Sequence, residues 1–260
     1  MTTTSQAEST SESRFDTESE AESEIEFTLR ATPVLDHQSA AIAEFVAEVA
    51  PGSAAGARDA TGGAGTAAEA SAAGADVREQ CRALFYAVRD GIDYEVFDTG
   101  LRDQDLAGSA VLDAGRGFCL HKSILYATAV RHLGVPSRLA SSLVRNHLSS
   151  PELTALVGGE VFLHWYVEIH LDGRWVKVTP VFNRLLCRMY GIAPLEFEGI
   201  HHAFDPQGLK RMEFLGDVRL HPDPTPDRIR ELIQSAHPAM VAPDLRVPSR
   251  GRFAGSGSPS

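Results

Sequence analysis

The sequence predicts an α+β fold in which a helix that carries a cysteine packs on an antiparallel β-sheet. After a glycine-containing turn, residues 120–133 repeat apolar side chains every three to four positions, which is typical of a helix buried on one side. Residues 162–171 and 174–179 alternate between apolar and polar side chains and are joined by Asp172-Gly173, a strong hairpin signal. A helix and a hairpin of this kind bury their apolar faces against each other.

Composition limits the class of protein. The 260 residues carry a net charge of -11 and are 43% hydrophobic, which suits a globular domain with one sizeable core. The acidic balance argues against nucleic-acid binding, because phosphates require clustered Lys and Arg. No apolar run approaches the roughly 20 residues of a membrane span. The N-terminus has no basic start and no apolar run, so no secretory signal and no membrane partner are predicted.

The cysteines predict a reducing compartment. Cys81, Cys119 and Cys187 are odd in number and widely spaced, which favours thiols over disulfides and suggests a cytoplasmic protein. No C-x-x-C pair is present, and the histidines fit no ligand spacing, so neither a metal nor a cofactor is expected.

Low-complexity segments frame the predicted domain. Residues 1–24 form a disordered acidic tail and residues 243–260 a second disordered tail, because both contain little to bury. The domain then spans 25–242. Within it, Ala, Gly, Ser and Thr dominate residues 51–75, which predicts a flexible insert between two helices.

Flanking elements follow from periodicity. Alternation over residues 25–29 predicts a short strand. Helical spacing predicts helices over 38–49, over 76–90 with Asp76 as the N-cap, and over 226–236.

The turn before the central helix places a cysteine where it can act as a nucleophile. Cys119 follows Gly117 and Phe118 at the predicted helix N-terminus, where the helix dipole favours thiolate. The glycine allows close approach, and backbone N–H groups near 117–119 can stabilise an oxyanion. The alternative is a buried, inert cysteine, which is the interpretation for Cys81 and Cys187 because no glycine turn precedes them.

The hairpin places a histidine on one face of its first strand. A two-residue turn sets the register, so Glu168 falls opposite Lys177. His164 then lies opposite residue 181, with Thr179 and Asn183 as diagonal neighbours within side-chain reach. A cysteine–histidine pair needs a third group to orient the imidazole, and either neighbour could accept its N–H. The alternative for His164 is a polar residue on an exposed sheet face. Trp175 shares its face and could wall a cleft.

These segments resemble the transglutaminase-like superfamily. The residues GRGFCLHKSILYATAVRHLGVPSRL and HWYVEIHLDGRWVKVTPVF match its cysteine helix, the arginine after that helix, its histidine strand and the following strand. The resemblance implies a papain-like core with Cys119 as the nucleophile and His164 as the general base. It also implies a structural role for Arg138.

One position departs from the family pattern. The aspartate that the family carries on the second strand is Thr179 here. Three possibilities stay open: Asn183 replaces it, a more distant carboxylate such as Glu198 replaces it, or the site is weakened or inactive.

The resemblance implies acyl transfer on a carboxamide. By analogy with prokaryotic-looking relatives, hydrolysis of amide or peptide bonds is favoured over cross-linking, with a peptide or amide, possibly within a protein, as substrate. A different class, a non-catalytic binding or scaffold domain, is supported by the missing aspartate. A third possibility is an interaction protein that works through residues 1–24.

Overall fold

A computed structural model describes residues 25–51, 67–146, 151–197 and 212–241. Both predicted tails and the candidate Glu198 lie outside these residues.

Four helices and a small parallel pair form the first part of the fold. Helix α1 is Ala40–Val49, α2 is Ala67–Gly91, α3 is Gly108–Ala114 and α4 is Cys119–His132. Strands β1 (Asp93–Tyr94) and β2 (Arg116–Gly117) pair in parallel directly before α4. These strands fix the turn that delivers the chain to Cys119.

Five strands form the main sheet. They are β3 (Ser137–Asn146), β4 (Val161–Leu171), β5 (Arg174–Val178), β6 (Met212–Phe214) and β7 (Arg219–His221). The order is β5-β4-β3-β6, β7 also pairs with β3, and all of these pairings are antiparallel. The predicted α+β class, with a nucleophile helix on an antiparallel sheet, is confirmed.

Three further helices complete the described chain. Helix α5 is Pro151–Val157, α6 is Arg184–Met189 and α7 is Pro226–Ala236. Helix α7 confirms the predicted last helix, and it begins with Thr225 as its N-cap. None of the helices in the described ranges is long and apolar enough to cross a membrane.

The register predicted for the hairpin is confirmed. Glu168 pairs with Lys177, and the last pair joins Val167 to Val178. Residues 172–173 both have positive φ, as a two-residue hairpin turn requires. The pairing ends at Val178, before the positions that were expected to face His164.

Helix α4 lies at the centre of the molecule. Every side chain from Cys119 to Arg131 is buried, so the prediction of a helix buried on one side only was wrong. The cause is packing on two sides: α1, α2 and α3 contact α4 on one side, and β3 and β4 contact it on the other. The core-facing side chains of β4 include Trp165, Val167, Ile169 and Leu171.

Two local predictions need correction. Residues 25–27 are helical rather than extended, because backbone hydrogen bonds such as Thr28 N–H to the Ile25 carbonyl (3.1 Å) close a turn. Helix α2 begins at Ala67, so Asp76 lies inside it and is not its N-cap. Alanine has the highest helix propensity, which explains how helix extends into part of the predicted insert.

A buried arginine ties distant segments to α4. Arg131 donates hydrogen bonds to the carbonyls of Arg30 and Ser137, and its Nη2 lies 3.4 Å from the carbonyl oxygen of Pro222. Burial lowers the pKa of this guanidinium to about 10, so it stays protonated at neutral pH. One side chain thus satisfies three carbonyls from three separate stretches of chain.

Candidate active site

Cys119 is the first residue of α4, as the sequence predicts. The N-cap residue is Phe118, whose backbone is extended and whose side chain makes no capping bond. Gly117 is required before it: a Cβ at this position would lie 2.3 Å from the Cβ of His121. The side chain of Cys119 is therefore held at the helix start by a turn that only glycine fits.

Burial governs the chemistry of the Cys119 thiol. The residue is 2% exposed, and loss of solvent raises the pKa of its thiol to about 12. Backbone N–H groups of Trp165, Leu120 and Cys119 itself lower the pKa, but by less. Burial therefore outweighs the effect predicted for the helix start, and the thiol is neutral in this conformation.

A small cavity adjoins the sulfur. Its volume is about 20 Å³, which is room for about one water molecule. Apart from Cys119 and the ring of His237, its lining is mostly apolar or aromatic and includes Phe118, Phe162, Leu163, Trp165, Ile233 and Met240. An acyl donor can reach the sulfur only if this cavity widens.

His164 lies on the opposite face of β4 from the core. Its ring stacks on Tyr166 at 6.2 Å between centroids and meets the edge of Phe162 at 6.3 Å. The pairing of His164 with Cys119 stays a prediction. Trp165, the residue after His164, lines the cavity beside Cys119.

Asn183 caps a helix. Its Oδ1 accepts a hydrogen bond of 2.8 Å from the Leu186 N–H at the start of α6. This corrects the prediction that its carbonyl orients His164, because strand pairing stops at Val178 and the chain turns into α6. Thr179 directly follows the last paired residue, and its catalytic role stays a prediction.

Trp175 does not line the cavity. The guanidinium of Arg138 lies over its indole at 3.9 Å, and the His170 ring contacts it at 5.3 Å. Arg138 also donates to Glu168 from Nε (3.0 Å) and Nη2 (2.8 Å), and both residues are buried. Trp175, which was predicted to wall the cleft, therefore packs against the buried Arg138 near the turn of the hairpin.

His237 was missed by the sequence reasoning. Its Nε2 accepts a hydrogen bond of 2.8 Å from the Leu163 N–H, and its Nδ1 lies 3.0 Å from the Val157 carbonyl oxygen, to which it donates. Burial lowers the pKa of this ring. A histidine directly after a predicted helix carries no signal of such a long-range contact.

Lys122 was missed as well. It is fully buried one turn after Cys119, and its Nζ donates to the carbonyls of Arg89 (2.8 Å) and Ile92 (2.6 Å). Burial lowers its pKa to about 7. The ammonium group thus caps the C-terminal end of α2, and a lysine inside an apolar helical run was the available signal.

A cysteine at the start of a buried helix that packs on an antiparallel sheet defines the papain-like class of α+β proteins. Residues 64–180, which contain Cys119 and His164, match the model of the transglutaminase-like superfamily. The resemblance seen in the sequence is confirmed, and this segment is a transglutaminase-like core.

Individual proteins are at most distantly similar to this chain. No curated protein matches the chain significantly. Among solved structures, a candidate cysteine protease from Cytophaga hutchinsonii is similar at 12% identity and a TM-score of 0.41. The match covers 75% of this chain and 52% of that chain, so the chain spans about half the length of this relative. A similarity this low carries neither activity nor substrate across.

Proposed function

We propose that this chain is a cysteine-dependent acyl transferase that hydrolyses amide or peptide bonds, with Cys119 as nucleophile and His164 as general base. The supporting observation is that Cys119 lines one cavity with Leu163 and Trp165, the two residues that flank His164 on β4.

The proposed reaction has two halves. His164 takes the thiol proton of Cys119 while the sulfur attacks the carbonyl carbon, and backbone N–H groups near Cys119 hold the oxyanion. The C–N bond then breaks, and His164 gives its proton to the leaving amine, which leaves a thioester. Water next attacks the thioester with His164 as base, the C–S bond breaks, and the sulfur regains a proton.

Substrate binding must change the described conformation. The Cys119 thiol is neutral and nearly inaccessible, and the His164 ring stacks on Tyr166. Productive binding therefore widens the cavity and turns the imidazole to the sulfur. Catalytic contacts that form only with substrate are common in enzymes.

Water is the proposed acyl acceptor. In the described conformation the cavity of about 20 Å³ beside the sulfur has room for about one water molecule. The preference for hydrolysis over cross-linking comes from the analogy with prokaryotic-looking relatives, with a peptide or amide, free or within a protein, as the substrate. Three buried thiols suit a reducing compartment, and we propose the cytoplasm.

Two assays on the same variants test this proposal. Hydrolysis is followed with fluorogenic peptide amides, and transamidation with a dansylated amine on casein. Cys119→Ser should abolish hydrolysis, and His164→Gln should reduce it roughly 10²–10⁴-fold. Cys81→Ala, the matched buried-cysteine control, should keep it. Undiminished hydrolysis by Cys119→Ser would rule out the nucleophile, and faster amine incorporation than hydrolysis would rule out water as the preferred acceptor.

A non-catalytic binding domain is the second candidate. It is favoured by Thr179 in the place of the family's aspartate and by the neutral, buried Cys119 thiol. Iodoacetamide at pH 6 separates the two, with intact mass and peptide mapping as the readout. An enzyme should label Cys119 faster than Cys81, and His164→Gln should remove the difference. Equal, slow labelling under all conditions would favour the binding domain.

A further inference from the structure

The C-terminal part of the described chain closes the cavity over Cys119. We call residues 226–240, which comprise α7 and the turn after it, the strap. Three of its side chains, Ile233, His237 and Met240, line the cavity together with Cys119. The sulfur is nearly inaccessible in the presence of this segment.

His237 fastens the strap to the edge of β4. Its ring accepts from the Leu163 N–H and donates to the Val157 carbonyl, so both ring nitrogens are bound to backbone. Leu163 and Trp165 are two residues apart, and their N–H groups therefore point to the same edge of the strand. The Leu163 N–H donates to His237, and Trp165 lines the same cavity as the Cys119 sulfur.

This edge of β4 is the natural place for an extended substrate. Strand β5 pairs with β4 only from Val167 onward, so residues 161–166 have no strand on that side within the described chain. An extended peptide that delivers a carbonyl to the sulfur beside Trp165 would pair with the same edge. It needs the Leu163 N–H that His237 occupies, so strap and peptide exclude each other.

The strap lies outside residues 64–180, the segment that matches the superfamily model. The first part of α7 is anchored elsewhere: Ile229 is buried, and Arg230 binds Asp103 and the Leu101 carbonyl. The turn that carries His237 can therefore detach while the start of α7 stays in place.

We propose that residues 226–240 form an autoinhibitory strap, in which His237 latches the segment to the edge of β4 and closes the site over Cys119. Release of the latch opens the cavity and frees the Leu163 N–H for an extended acyl donor. The inhibitory consequence rests on the proposed function, whereas the masking of the thiol does not.

The test compares thiol accessibility at two cysteines of one molecule. Cys81 is the internal reference, because it is also buried, its thiol pKa is also about 12, and it lies in α2. N-ethylmaleimide labelling at pH 8 is followed by peptide mass spectrometry. His237→Ala should accelerate labelling of Cys119 by roughly tenfold or more, because two buried hydrogen bonds are lost, and leave Cys81 unchanged.

Two further variants keep the test decisive. Met240→Ser opens the cavity wall without touching the latch and should accelerate Cys119 labelling by a smaller factor. Arg228→Gln, the matched control on the same helix, removes an exposed guanidinium that contacts Glu231 at 3.0 Å and should leave both labelling rates unchanged. Unchanged Cys119 labelling in both His237→Ala and Met240→Ser, or equal acceleration at Cys81, would overturn the proposal of a strap.

An activity measurement separates the two proposals. If both hold, His237→Ala should hydrolyse peptide amides faster than the wild-type protein. Faster labelling of Cys119 without any hydrolysis would contradict the proposed function and leave the strap intact. If hydrolysis depends on Cys119 but the strap variants change neither hydrolysis nor the labelling of Cys119, the strap is contradicted and the proposed function stands.

Discussion

At the scale of single residues, burial outweighs position on the helix. The dipole at the start of α4 and the backbone N–H groups around the Cys119 sulfur all favour thiolate. Removal from water acts in the opposite direction and is the larger effect, so the thiol pKa rises to about 12. Sequence shows which residue starts a helix, whereas desolvation depends on the segments that cover it.

The pH dependence of alkylation should report this burial. With a thiol pKa of about 12, the Cys119 labelling rate of the folded protein should keep rising between pH 8 and pH 10.5. In urea the labelling rate of the same thiol should level off above about pH 8.5, the ordinary pKa of a cysteine thiol. A plateau near pH 8 in the folded protein would mean that Cys119 is not desolvated.

Lys122 should contribute strongly to stability. Lys122→Met keeps most of the side-chain volume but leaves the Arg89 and Ile92 carbonyls without their ammonium donor, which should cost about 2–4 kcal/mol of unfolding free energy. The matched control is Lys177→Met, which changes an exposed lysine and should cost less than about 0.5 kcal/mol. Equal losses in urea denaturation would contradict the capping role.

At the scale of elements, a feature was predictable from sequence where one local signal acted, and it was not where two signals competed. The hairpin register was predictable because Asp172-Gly173 sets a two-residue turn and the alternation of β4 sets its faces. Cys119 at the start of α4 was predictable from the glycine turn. Asn183 was misplaced because the same residue type also caps helices, and the start of α6 competes with continued strand pairing.

Substitution of Asn183 distinguishes its two roles. As a cap, Asn183→Ala should lower the free energy of unfolding by about 1 kcal/mol, and Asn183→Asp should restore most of it because a carboxylate also accepts from the Leu186 N–H. Neither variant should change the labelling rate of Cys119. A large change in Cys119 reactivity, without loss of stability in urea, would instead assign Asn183 to the site.

At the scale of the whole molecule, contacts between distant segments decide how the site is closed. The cavity brings residues from β1, α4, α5, β4 and the strap to one sulfur, and no periodicity in the sequence reports that encounter. The family resemblance identified Cys119 and His164 within 64–180, but the strap lies beyond that segment. The core of the site was therefore predictable and its cover was not.

Acid should weaken the whole fold through its buried imidazoles. Burial lowers the pKa of His121 from 6.5 to about 4, and its Nε2 contacts the Gly100 carbonyl at 3.0 Å. The unfolded chain takes up this proton as pH falls below 6.5 and the folded chain does not, so stability is full above pH 6.5 and decreases toward pH 4. His121→Gln should therefore lose less stability than wild type between pH 7 and pH 4.5 in urea denaturation. An equal loss would exclude His121 as a contributor.

Arg131 has a mechanical consequence. Its guanidinium binds carbonyls near the start of the described domain, at the entry to β3 and just before α7. Tension applied between the N-terminal and C-terminal parts would thus load this side chain inside the central helix, together with the backbone bond from the Ser137 N–H to the Thr28 carbonyl.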